Sequence, residues 1–209
     1  MKKIIFVFLL ILILLINTVK ASLPLSGKYI IIDAGHGGVD VGTIHKNIYE
    51  KDLVLEISKI LEQELAKEGA STELIREGDY DLSSPNSKRR KRSDFNNRIK
   101  VINDSRANLY LSIHINYLDN NLYQGAQVFY LKENIKIAET IQRELNQFTY
   151  PRSIKKMPDV YMYKNLKIPG VLIECGFLSN YEERQKLQSQ TYQRDLAKTI
   201  TKALINYYN

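Results

Sequence analysis

Three short apolar runs, each delivering one polar residue at its carboxyl end, constrain this chain more than any other feature. Residues 30–32 (Ile-Ile-Ile) lead through Asp33-Ala-Gly to His36, which stands between glycines. Residues 109–113 end at His114, and residues 171–173 end at Glu174. A short β-branched run closed by glycine reads as a buried strand and its exit turn. In open α/β sheets the carboxyl edge of the strands is where sites are built. Two histidines and a glutamate brought to one such edge point to metal-dependent hydrolysis.

The segments between these runs supply the helices that such a sheet needs. Residues 51–69 place Val54, Ile57, Leu61 and Leu65 at helical spacing and end at Gly69, a helix stop. Residues 72–75 read as a second strand. Residues 76–93 are polar, hold Pro85 and the basic run at 88–92, and predict a long loop. A helix over 95–104 then feeds the strand that ends at His114. Further on, residues 127–131 predict a strand. Ile137, Ile141, Leu145 and Phe148 mark a helix, and residues 160–163 a short aromatic strand. Leu196, Ile200, Leu204 and Tyr207 stripe a closing helix. Strands alternating with helices predict one α/β domain, a mostly parallel twisted sheet with helices on both faces, over residues 22–209.

Residues 1–21 have a different layout. Lys2 and Lys3 precede an apolar block of 13 residues, 4–16, and Val19-Lys20-Ala21 offers small residues at a cleavage position. This reads as a signal peptide or, stretched by residues 17–19, an N-terminal membrane anchor, and either implies action beyond the cytoplasmic membrane. Removing the segment takes away three lysines and no acid, lowering the formal charge from +7 to +4. So mild a basic charge suits an anionic polymer such as a cell wall but does not define a partner. The basic run at 88–92 has no interleaved aromatics and stands behind a secretion signal, which argues against nucleic acid. Cys175 is the only cysteine, so no internal disulfide can form.

Zinc hydrolases commonly use three His, Glu or Asp ligands and leave a fourth position for a water whose pKa falls to about 7. A lone histidine is more often structural than ligating. Two at equivalent strand ends reverse that, so His36 and His114 form the imidazole pair. Three residues compete for the third position. His45 lies in a polar segment, Asp40 in the glycine-rich turn, and Glu50 at the start of a helix, where a carboxylate also suits the helix dipole. Position favours Glu50, because a first helical turn holds a side chain more rigidly than a loop. Glu174 ends a buried strand, where a carboxylate is costly unless paired or used, and reads as general base and then acid. Cys175 with His114 as its base would be a thiol alternative. Strand alternation turns Cys175 away from any pocket that Glu174 faces.

These residues resemble the zinc-dependent N-acetylmuramoyl-L-alanine amidases of the amidase 3 family. The motifs are Asp33-Ala-Gly-His-Gly-Gly-Val-Asp-Val-Gly, Glu50-Lys-Asp, Ser112-Ile-His-Ile-Asn and Ile173-Glu-Cys-Gly-Phe-Leu-Ser-Asn, in that order over residues 29–208. The resemblance implies zinc ligands His36, Glu50 and His114, a catalytic Glu174, and a supporting role for Arg98, Asn103 and Asn116. Residues 88–93, 125–130 and 160–174 are most similar to the spore-cortex, CwlD-type subgroup. That likeness implies cleavage of the amide between the lactyl group of N-acetylmuramic acid and L-alanine in peptidoglycan, ahead of muramic-δ-lactam formation. It also brings in a secreted lipoprotein helper as a partner. A thiol-dependent wall peptidase and an inactive wall-binding domain are the rival expectations.

Overall fold

The structure is a computed structural model that describes residues 22–209; the expected signal peptide or anchor at 1–21 lies outside the described residues. The elements in chain order are β1 (Tyr29–Ala34), β2 (Ile44–His45), β3 (Ile48–Tyr49), α1 (Glu50–Lys67), β4 (Ser71–Leu74), α2 (Arg90–Asp104) and β5 (Leu109–Asn116). They continue with β6 (Gln127–Tyr130), α3 (Ile135–Phe148), β7 (Lys155–Lys156), α4 (Tyr161–Lys164), β8 (Gly170–Phe177), α5 (Tyr181–Leu187) and α6 (Gln190–Tyr208). Six strands form one sheet in the order β4-β1-β5-β8-β6-β7, and β2 and β3 make a separate hairpin. Strands β4, β1, β5 and β8 run parallel, while β6 pairs antiparallel with β8. This is the expected α/β domain with a mostly parallel sheet.

Alternation along the strands sorts two layers. Ile30, Ile32 and Ala34 of β1, Leu109, Leu111 and Ile113 of β5, and Val171, Ile173 and Cys175 of β8 join one core with the apolar faces of α1, α3 and α6. Ile31, Tyr110 and Leu172 face the other way, onto Ile102 of α2 and Met162 and Tyr163 of α4. Successive residues of a strand point to opposite faces, so Asp33, Ser112, His114 and Glu174 share the α2 and α4 side. Register brings them level. Asp33 pairs with Ser112 across β1 and β5, and His114 with Glu174 across β5 and β8.

Two expectations are corrected. Residues 160–163 are not a strand, because α4 is a single helical turn. Met162 and Tyr163 are adjacent and both buried in the same cluster, which a strand with alternating faces cannot achieve. The long loop ends earlier than expected, since α2 begins at Arg90 inside the basic run. Arginine and lysine are good helix formers, and Arg90 is anchored by Asp81, whose Oδ2 lies 2.7 Å from its guanidinium. The sequence reading also passed over α5, although Asn180 followed by Glu183 is a helix-start signal. The Asn180 side chain does accept from the Glu183 N–H.

Candidate metal centre

His36 leaves β1 in a left-handed conformation, φ +61°, which few side chains adopt without strain. Two buried arginines hold that turn. Arg76 donates to the carbonyls of Ala34 (2.9 Å), Gly35 (2.8 Å) and Lys51 (2.7 Å). Arg98 donates to the carbonyls of Ala34 and His36 and to the carboxylates of Asp33 and Asp94. Buried carbonyls need such partners, and the guanidinium fork supplies several at once. Arg76 fell within the expected long loop and carried no sequence signal of this role.

Glu50 opens α1 and is the hub of the cluster. Its Oε1 lies 3.0 Å from His114 Nδ1 and 3.2 Å from His36 Nε2 and accepts from the Ile115 N–H at 3.0 Å. Its Oε2 accepts from the Thr43 N–H at 2.8 Å. One donor atom from each of His36, Glu50 and His114 lies within 4.8 Å of the other two. Behind His36, Asp40 Oδ1 stands 3.1 Å from Nδ1, at ion-pair distance but out of line for a hydrogen bond. Of the three residues weighed for the third position, Glu50 stands between the imidazoles and Asp40 supports one of them. His45 is on β2, outside the cluster.

Two nitrogen donors and one carboxylate oxygen converging at this spacing form a donor set that could hold a metal ion. The imidazoles keep 18% and 16% of their side-chain surface exposed, so the donors are reachable, while Glu50 is buried. The electrostatics fit a cation. Burial disfavours the Glu50 charge, yet hydrogen bonds to His114 and His36 hold its carboxyl well below the usual range. Burial likewise opposes a charged His36, but Asp40 and Glu50 outweigh it and raise its pKa to about 9. Without a cation, a proton on His36 takes up part of this negative charge.

Glu174 stands apart from the hub and differs from it. Its Oε2 is enclosed with no hydrogen-bond partner. Burial and then the nearby Glu50 charge push its pKa up to about 8. A partnerless carboxyl poised near neutrality in a cleft is suited to taking and returning a proton. That cleft holds about 550 Å³ and is bordered by Asp40, Lys91, Arg98, Tyr117 and Val160 as well as the four polar residues above. Cys175, the next residue, is fully buried in the opposite core, and burial followed by the Glu174 charge raises its thiol far above the range where thiolate forms. Neither access nor ionisation favours the thiol alternative.

Residues 30–206 match the family described as N-acetylmuramoyl-L-alanine amidase, Amidase_3. The germination-specific N-acetylmuramoyl-L-alanine amidase of Bacillus subtilis is 42% identical over 195 residues, which cover 90% of this chain and 82% of that protein. The CwlD amidase from Clostridioides difficile, solved in complex with the GerS lipoprotein, superposes with a TM-score of 0.81. It is 38% identical and covers 86% of this chain and 98% of its own. An N-acetylmuramoyl-L-alanine amidase from Clostridium difficile 630 reaches 0.76 at 32% identity, covering 86% and 96%. On the family match and these relatives together, the chain belongs to the N-acetylmuramoyl-L-alanine amidase family, Amidase_3.

Proposed function

We propose that this chain is a zinc-dependent N-acetylmuramoyl-L-alanine amidase that cuts the amide between the lactyl group of N-acetylmuramic acid and L-alanine in peptidoglycan. The observation that carries the reading is the convergence of His36, Glu50 and His114 in a cleft that also holds the partnerless Glu174. His36, Glu50 and His114 would hold the zinc, which would supply a Lewis acid for the scissile carbonyl and lower the pKa of the attacking water. Glu174 takes a proton from the attacking water and returns it to the departing L-alanine amine, which could not leave as an anion. Arg76 and Arg98 fix the His36 turn, so its imidazole is already oriented when substrate arrives.

The relatives support a setting for this reaction. Likeness to the germination-specific amidase supports action during germination; the spore-cortex setting ahead of muramic-δ-lactam formation, and residues 1–21 as the export signal or anchor, extend the reading of the sequence motifs. Likeness to the amidase solved with a lipoprotein supports a secreted lipoprotein helper.

Glu174→Gln tests the assignment, because it keeps size and polarity and removes the ability to take up and release a proton. The variant should retain zinc and lose 10²- to 10⁴-fold in rate, measured side by side as bound zinc and release of new L-alanine amino termini from peptidoglycan. Near-normal turnover would remove Glu174 from the reaction, and lost zinc would make it a ligand.

A further inference from the structure

His114 uses one ring nitrogen toward Glu50 and has a second to place. Its Nε2 lies 3.3 Å from Tyr163 Oη, and that oxygen is 3.4 Å from Ser112 Oγ. Ser112 Oγ donates to Asp33 Oδ2 at 2.8 Å, and Asp33 is neutralised by Arg98, which also holds the His36 carbonyl. Tyr163 and Ser112 are buried and Asp33 is 1% exposed, so bulk water does not compete for these bonds.

Once Nδ1 is committed to a metal, the proton inventory allows one consistent direction. A ligating Nδ1 must offer a lone pair, so the ring proton sits on Nε2 and donates to Tyr163 Oη. The phenol donates to Ser112, and Ser112 to the Asp33 carboxylate, which only accepts. Ring nitrogens remote from a metal usually donate to a carboxylate, a carbonyl or water, which fixes tautomer and orientation. Here two hydroxyls, Tyr163 Oη and Ser112 Oγ, carry that role to the Asp33 carboxylate.

The geometry points to Tyr163 as a positioning residue for His114, linking it through Ser112 to Asp33 and setting its Nδ1 lone pair toward the cation. This rests on the metal reading above. The closing experiment therefore measures three quantities on purified protein. These are zinc affinity by chelator competition, the His114 tautomer in the zinc-loaded state by imidazole nitrogen NMR, and the melting midpoint of the metal-free chain. Parent, His114→Ala, Tyr163→Phe and Ser112→Ala are compared.

Tyr163→Phe keeps the ring and removes only the hydroxyl. Its zinc affinity should fall 10- to 100-fold, the scale of lost outer-shell partners, with the Nε2 proton resonance shifted or exchange-broadened and the metal-free midpoint close to parent. Ser112→Ala breaks the chain one link further on and should weaken zinc in the same direction, which keeps the test open if the tyrosine variant folds poorly. Zinc affinity within twofold of parent in both variants would overturn the proposal. So would a loss matched by an equal fall in metal-free stability, since that is packing. If parent and His114→Ala bind zinc alike, the metal reading itself fails. If only His114→Ala is defective, the metal reading stands and the role given to Tyr163 falls.

Discussion

His36 shows at the scale of one residue how this site is assembled. Its φ of +61° is strained, and the structure tolerates it because Arg98 and Arg76 bind the carbonyls on either side. The histidines and Glu174 were legible in the sequence because each ends an apolar run. Glu50 was legible only as the best placed of three. Arg76 and Tyr163 were not, because the groups they serve lie 25 to 51 residues away in the chain and no local pattern marks such a contact. Gly42 gives a residue-scale prediction. It has φ +67°, and an added Cβ would come within 2.6 Å of Glu50 Oε2 and His36 Cδ2, whereas Gly27, at φ +76°, has open space. Gly42→Ala and Gly27→Ala should each lose about 1–2 kcal/mol of stability for left-handed backbone. Only Gly42→Ala should also lose bound zinc, as measured by metal content of the folded protein. Equal zinc content in the two variants would show that the pocket wall yields.

Among the elements, β8 does the most, because its alternation separates chemistry from core. Glu174 faces the cleft, while Cys175 packs in the layer of α1, α3 and α6. This split was readable in advance, since period-two alternation is independent of what the strand packs against. The α4 turn was not. An aromatic run with a β-branched start reads as strand, and only the tertiary demand to bury Met162 and Tyr163 together makes it helical. The expected outcome at this scale is that a thiol reagent fails to label Cys175 until the chain is unfolded. Cys175→Ala should keep turnover at a cost of about 1 kcal/mol, as for a small buried deletion. Rapid labelling of the native protein, or loss of turnover in folded and zinc-loaded Cys175→Ala, would return the thiol to the mechanism.

Over the whole molecule, a deeply placed cluster of acids ties stability to pH, and the metal-free chain should report it. Glu174 has a folded pKa near 8, raised by burial and the Glu50 charge, against about 4.3 when unfolded. The folded state thus prefers it protonated, and that contribution is present below about pH 4.3 and lost as pH rises to 8. His36, raised from 6.5 to about 9 by Asp40 and Glu50 against the pull of burial, loses its contribution over the range from 6.5 to 9. Asp33 behaves oppositely. Burial opposes its charge, but Arg98, His114 and Ser112 hold its carboxyl below the ordinary value, so its contribution is present above about pH 3.9 and lost as pH falls further. The melting midpoint of chelator-treated protein should therefore peak near pH 5, fall towards pH 9, and collapse below about pH 4. Zinc should raise the midpoint most on the alkaline side, where its ligands need not release protons to bind it. A metal-free midpoint that climbs steadily from pH 5 to 9 would mean that Glu174 and His36 titrate as ordinary surface groups, and the electrostatic case for a cation at this site would fall with them.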